Sequence, residues 1–249
     1  RYAQQPHPTA RPGLTMGRWG FHFDRTNTWC EQAGPWLDYA ARCQHLLKQG
    51  NFAADILYFA GENSPVQCPV HIEEPVAATL SGARPKLAQP VPPGYDYDVC
   101  DADVLLNRTR IEDGRITLPD GVNYRLLVMP EDKRITRETL RRIHALVNQG
   151  MWLVGAPVEQ SHGLAGYPES DGEVHRLAKE LWGDLDGRAH TSRSVGKGRV
   201  FWGMPIEKIL AEANLPPDVK LSAQAGDAVL HWIHRRIDGA EVYFVSNAR

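Results

Sequence analysis

The residues best suited to chemistry lie near the N-terminus. The run Gly20-Phe-His-Phe-Asp-Arg-Thr-Asn-Thr-Trp-Cys30 packs an imidazole, a carboxylate, a guanidinium, hydroxyls and aromatics into eleven residues, with neither helical nor strand period. That mixture suits a pyranose, whose rim needs hydrogen-bond partners and whose C–H face needs an aromatic plate. His22, Asp24, Arg25 and Trp29 are the candidates in this run. Gln5 stands beside His7 at the start of the chain. Glu62 directly follows the apolar run Ala53-Ala-Asp-Ile-Leu-Tyr-Phe59 and is a candidate acceptor of sugar hydroxyls. A plainer reading stands beside each. Asp24 and Arg25 could form an ion pair that caps the next helix, with Trp29 in the core. No residue is assigned as catalytic acid, base, nucleophile or metal ligand.

Other chemistries are poorly served. Ser194-Val-Gly-Lys-Gly-Arg-Val200 has the glycines and lysine of a phosphate loop. A phosphate loop must open a helix whose N-terminal amides face the anion, whereas here Arg199 begins a strand. The segment reads as a tight turn. The cysteines, Cys30, Cys43, Cys68 and Cys100, show neither CxxC nor zinc spacing, and none sits between glycines at a strand-to-helix elbow. A Cys68–Cys100 disulfide is left open. There is no GxSxG, no HExxH and no DxDxDG calcium loop. His234 alternates along a strand and reads as structural. His144, beside a helix core face, reads as packed or solvated.

The elements that must hold these residues follow from periodicity. Trp36, Tyr39, Ala40, Cys43, Leu46 and Leu47 recur three and four apart, which predicts a helix ending at Gly50. Ala53–Phe59 is nearly continuous and apolar, as in a parallel strand buried on both faces. Residues 63–94 are Pro-rich and read as a linker. Asp101–Arg108 predicts a short helix. Asp113-Gly114 and Pro119-Asp-Gly121 predict turns, and Tyr124–Met129 a buried strand. Thr136 is the N-cap of a helix that buries Leu140, Ile143, Leu146 and Val147 and stops at Gly150. Met151–Gly155, Glu173–Trp182, Arg199–Trp202 and Pro205–Ala213 continue the alternation. Residues 95–213 therefore suit a small flavodoxin-like α/β domain with a parallel sheet. Ala228–Arg235 and Ala240–Val245 flank Asp238-Gly239 as a hairpin that opens a further unit. Both ends of the chain read as cuts through a longer polypeptide.

Composition fits this picture. With 249 residues, a net charge of -2 and 42% hydrophobic residues, the chain can bury a sizeable core. It carries no basic footprint for nucleic acid. No apolar run approaches the roughly 20 residues of a membrane span.

Read in order, Arg1-Tyr-Ala-Gln-Gln-Pro6, Pro12-Gly-Leu-Thr-Met-Gly17, Gly20-Phe-His-Phe-Asp-Arg25, Thr28-Trp29, Trp36–Cys43, Leu46–Gly50 and Ala54–Phe59 resemble the α-L-rhamnosidases of glycoside hydrolase family 106. Pro93–Asp98, Leu118–Gly121, Tyr124–Val128, Gly196–Val200 and Tyr243–Asn247 extend the resemblance. It implies an end of a (β/α)8 catalytic barrel at 1–62, a linker at 63–94, an amidotransferase-like, flavodoxin-like α/β domain at 95–213 and the first strands of a β-sandwich at 214–249. It also implies a calcium-dependent, inverting hydrolase of terminal α-L-rhamnosyl linkages, secreted or periplasmic, acting on rhamnose-containing glycans or glycosides. The catalytic carboxylates are then expected upstream of Arg1, and the loop Gly20–Trp29 becomes one wall of the sugar pocket. The calcium ligands are expected outside the chain. Cys30 departs from the family pattern, which has a second tryptophan there, and Gln67–Gln89 matches poorly. A reading from another class is a non-catalytic α/β module that joins domains or protomers.

Overall fold

The structure, a computed structural model, describes residues 28–62, 87–220 and 230–247. The chain divides into two compact units, Arg1–Gly50 and Asn51–Arg249. In the first, Trp29 leads into a 3-10 turn at Cys30–Ala33, and helix α1 runs Gly34–Lys48. Pro35 is tolerated in its first turn because an amide there has no helical acceptor. No α1 residue is fully buried, and Trp36, Leu37, Tyr39 and Leu46 are about half exposed.

The second unit opens with β1 (Asn51–Phe52) and β2 (Ile56–Phe59), followed by β3 (Tyr97–Cys100) and a π-helical turn, Val104–Arg108. Next come β4 (Arg110–Glu112), β5 (Arg115–Thr117), β6 (Asn123–Tyr124), β7 (Leu126–Val128) and β8 (Arg134–Ile135). Helix α2 (Arg137–Gln149), β9 (Trp152–Val154), β10 (Gln160–Ser161) and helix α3 (Glu169–Trp182) continue the alternation. The chain then forms β11 (Ser192–Val195), β12 (Gly198–Phe201), helix α4 (Ile206–Glu212), β13 (Leu230–Ile237) and β14 (Ala240–Asn247).

Six strands form the central sheet, in the order β11-β12-β9-β7-β2-β3. Five are parallel and β11 is antiparallel to β12. Taken in chain order, the parallel strands lie 2-1-3-4-5, the flavodoxin-like doubly wound arrangement. Side chains alternate between two cores. Leu57, Phe59, Leu127, Leu153 and Val200 face α2 and α3, which contribute Leu140, Ile143, Leu146, Val174, Leu177 and Leu181. Ile56, Tyr58, Leu126, Val128, Val154 and Phe201 face α4, with its Ile206, Ile209 and Leu210. Each such side chain contributes about 1.5–3 kcal/mol by leaving water.

Local signals explain the helix ends and hairpins. Thr136 Oγ1 accepts from the Thr139 amide, and the Gly150 amide donates back to Leu146 and Val147 at a φ of 133°. Asp113-Gly114 turns β4 into β5, and Asp238-Gly239 turns β13 into β14, each with positive φ at both residues, as type I′ turns require. The Ser194–Val200 segment is the β11–β12 hairpin rather than a phosphate loop. A Cβ on Gly198 would lie 2.2 Å from the Met151 carbonyl oxygen, so only glycine lets this hairpin press onto the helix-to-strand corner.

Three expectations change. The sequence assigns Ala53–Phe59 to a barrel end at residues 1–62, but β2 is an interior strand of the α/β sheet, between β7 and β3. A continuous apolar run reports burial on both faces, which either sheet supplies. Only its register with Leu126–Val128 and Tyr97–Cys100 identifies the sheet. The described end of the expected linker, from Leu87, is packed, with Leu87 and Val91 against the α4-side core. The helix expected at Asp101–Arg108 is a π-helical turn. At the tail, β13 pairs with β14 and also with β1, Asn51 opposite Arg236 and Phe52 opposite Arg235.

Candidate functional site

Gln5, His22, Asp24 and Arg25 lie outside the described residues. Trp29 is half-buried, and its carbonyl accepts from the Gln32 amide at 3.0 Å. Cys30 and Cys43 are free, partly exposed thiols, and Cys68 lies outside the described residues.

Glu62 occupies a chemically loaded place. In open α/β sheets, ligands bind beyond the carboxyl ends of the strands, where the strand order reverses. Here that point lies between β2 and β7. Glu62 follows β2, and α2 begins after β7. The Glu62 carboxylate closes this gap. Its Oε2 accepts from the Thr136 amide at 2.6 Å, and its Oε1 from the Thr136 and Thr139 hydroxyls at 2.7 Å each. A helix N-terminus offers unpaired amides and a partial positive charge. The protein's own carboxylate takes the position an external anion would take.

At the opposite, amino end of the strands stands a second charged group. Asp55 precedes β2. Its Oδ1 receives Arg115 Nη2 at 2.6 Å, and its carbonyl accepts the amides of Arg125 and Leu126. Arg115 Nε also donates to Asn123 Oδ1 at 2.6 Å. The Arg125 guanidinium lies 4.0 Å above the Trp152 ring, a cation–π contact. Burial pulls its pKa down, helped by Arg115 and Arg199 nearby.

Along β13, His234 is 2% exposed and stacks on Tyr243, ring centres 4.2 Å apart. Its Nε2 lies 2.5 Å from Glu241 Oε2. Its Nδ1 is 3.3 Å from Asp218 Oδ1, close enough to attract but not aligned as a hydrogen bond. Burial raises the Asp218 carboxyl, and His234 opposes the rise. Burial also raises Asp96, reinforced by Asp218 and Asp98 and opposed by the Tyr97 amide and His234. Tyr124 donates to Asp98 Oδ2 at 3.0 Å and is pushed well above the usual tyrosine range, by burial first and Asp98 second.

The profile of glycoside hydrolase family 106, alpha-L-rhamnosidase, matches residues 1–249. The chain belongs to this family. A rhamnosidase from Novosphingobium sp. PP1Y superposes with a TM-score of 0.73 at 28% identity, covering 91% of this chain and 20% of that one. A protein of Formosa agariphila, provisionally named a beta-glucuronidase, is 34% identical over 248 residues, which is 100% of this chain and 18% of that protein. The chain thus spans about a fifth of the length of either relative.

The resemblance carries an expectation of calcium, and the described residues do not fit such a site. Among them no three His, Cys, Asp or Glu side chains converge as a metal site. Two carboxylates are already engaged by cationic side chains or histidine, Asp55 by Arg115 and Glu241 by His234 and Arg236. Among the described residues no helix is long and apolar enough to cross a membrane.

Sequence reasoning found Glu62 but not its partners, which lie 74 and 77 residues away. It missed the Asp55–Arg115 pair and the Asp218 side of His234. A buried polar residue on an alternating strand is the one local signal for the latter.

Proposed function

We propose that this chain is part of a longer enzyme that hydrolyses terminal α-L-rhamnosyl linkages with inversion. The single observation behind this reading is the family match along residues 1–249. In the proposed arrangement, a (β/α)8 barrel carries the chemistry. The α/β body braces it, and β13–β14 begin a β-sandwich. Inversion needs two carboxyl groups about 6.5–9.5 Å apart, one to protonate the leaving oxygen and one to activate water. We place both outside this chain. Glu62 supports that placement, because its oxygens already serve the start of α2. Gln5, His22, Asp24, Arg25 and Trp29 are proposed to line the rhamnose pocket. Calcium is proposed to bind outside the described residues.

The test uses the full-length parent protein and an aryl α-L-rhamnopyranoside, followed by proton NMR from the first seconds of reaction. The β-anomer of rhamnose is expected to form first, before mutarotation. Initial α-rhamnose would overturn inversion. Release from an aryl β-glucuronide but not from the rhamnoside would overturn the substrate assignment.

A further inference from the structure

A cleft of about 400 Å³ lies where the segment entering β3 meets the start of β13. The start of β13 contributes His231 and Trp232, and the segment entering β3 forms a wall with Pro90, Pro92, Pro93, Asp96 and Tyr97. This wall is fixed from several sides. Tyr58 donates to the Gln89 carbonyl at 2.9 Å and Tyr95 to the Leu215 carbonyl at 2.8 Å. The Val219 amide reaches the Gly94 carbonyl at 3.3 Å. Gly94 sits so tightly that a Cβ would lie 2.1 Å from the Val219 oxygen, at a φ of +82° that favours glycine anyway. Proline rings hold φ near one value, so little order remains to be gained when a ligand enters.

The surfaces offered are an indole, two phenol rings, proline rings, the His231 imidazole and one carboxyl. Asp96 Oδ1 accepts the Tyr97 amide at 2.8 Å, and among the described residues Oδ2 takes no hydrogen bond. The indole N–H of Trp232 likewise has no acceptor among them. A mainly apolar hollow with a few convergent polar atoms is the usual form of a small-ligand site. Charge narrows the class. Asp96 lies within the field of Asp98 and Asp218, and that repulsion adds to burial in raising its carboxyl. A uronate or a phosphate would meet the same repulsion.

We infer that this cleft is a non-catalytic subsite for a neutral pyranose ring. The ring stacks its C–H face on Trp232 and bonds a hydroxyl to Asp96. This deepens the proposed function and rests on it for one point only, that the sugar belongs to the enzyme's own glycan substrate.

Two experiments separate the parts. First, the 249-residue chain labelled with ¹⁵N is titrated with methyl α-L-rhamnopyranoside, methyl β-D-glucopyranoside and D-glucuronate. A neutral glycoside is expected to move the Trp232 indole resonance with a millimolar Kd, while glucuronate leaves it in place. Read from the backbone amide resonances of Asp96 and Tyr97, Trp232→Ala should weaken binding about five- to tenfold, and Trp232→Tyr, which keeps a plate, should recover most of it. A stationary Trp232 resonance with every neutral glycoside overturns the subsite, as does equal binding of glucuronate. Because this reads the wild-type chain, it holds even if Trp232→Ala fails to fold. Second, in the parent enzyme Trp232→Tyr should raise KM for an oligosaccharide about twofold and leave an aryl rhamnoside unaffected. If the parent lacks rhamnosidase activity while the indole still shifts, the functional reading fails and the subsite stands.

Discussion

The two ends of the central sheet carry the same kind of side chain to opposite effect. At the carboxyl end, Glu62 meets an amide and two hydroxyls at the start of α2. At the amino end, Asp96 and Asp218 are half-buried near other carboxylates, and partial burial raises both from their ordinary values. Doubly wound sheets usually bind ligands at the first end. Here the Glu62 position at that end is filled from within, while the other end holds carboxylates raised by burial and by neighbouring carboxylates. The strand order of a fold thus indicates where a ligand can bind. Whether that place is open depends on single residues.

The comparison can be broken by substitution. The largest effect is expected from Asp55→Ala, which strands Arg115 and removes a partly buried pair. It should cost about 3 kcal/mol in urea unfolding. Glu62→Ala removes three hydrogen bonds at a helix start and should cost about 2 kcal/mol, while Glu62→Gln should cost about half of that. If Glu62→Ala is neutral, the carboxyl end is not stabilised as described. An exposed pair gives the smallest effect. Lys133→Ala opposite Glu159 should change stability by less than about 0.5 kcal/mol.

Acid–base behaviour sharpens the same contrast. Asp96 and Asp218 bind their protons more tightly folded than unfolded. Their contribution is therefore complete below the unfolded carboxylate pKa of about 4 and is lost as pH rises through the raised folded values. Asp96→Asn removes its share of that loss. Its stability relative to the wild type should rise between pH 4 and 7. A difference that is flat with pH would mean that Asp96 is not perturbed. Glu173 runs the other way. The hydrogen bond from Arg141 lowers it, so its contribution is lost as pH falls below the usual carboxylate range.

Much of the fold was legible because it is local. The Thr136 cap, the stripe from Leu140 to Val147, the stop at Gly150 and both Asp-Gly turns depend on neighbours within one or two turns of chain. The sheet to which β2 belongs was not legible. Its four apolar residues report only that both faces are covered, and its partners lie far along the sequence. The candidate site divides in the same way. Glu62 could be singled out because it follows an apolar strand, yet its fate depends on Thr136 and Thr139. His234 could be placed on a strand, whereas its contact with Asp218 comes from tertiary packing. The motifs that suggested the family act as a series, and so they survive the change of domain boundary around Phe59.

The most direct measurement compares the 249-residue chain with its full-length parent on an aryl α-L-rhamnopyranoside, at equal molar concentration and with calcium supplied. Turnover by the parent and none by the chain is the expected result under the proposed division of labour, in which the acid and base lie outside this chain. Steady hydrolysis by the chain alone would contradict that division of labour.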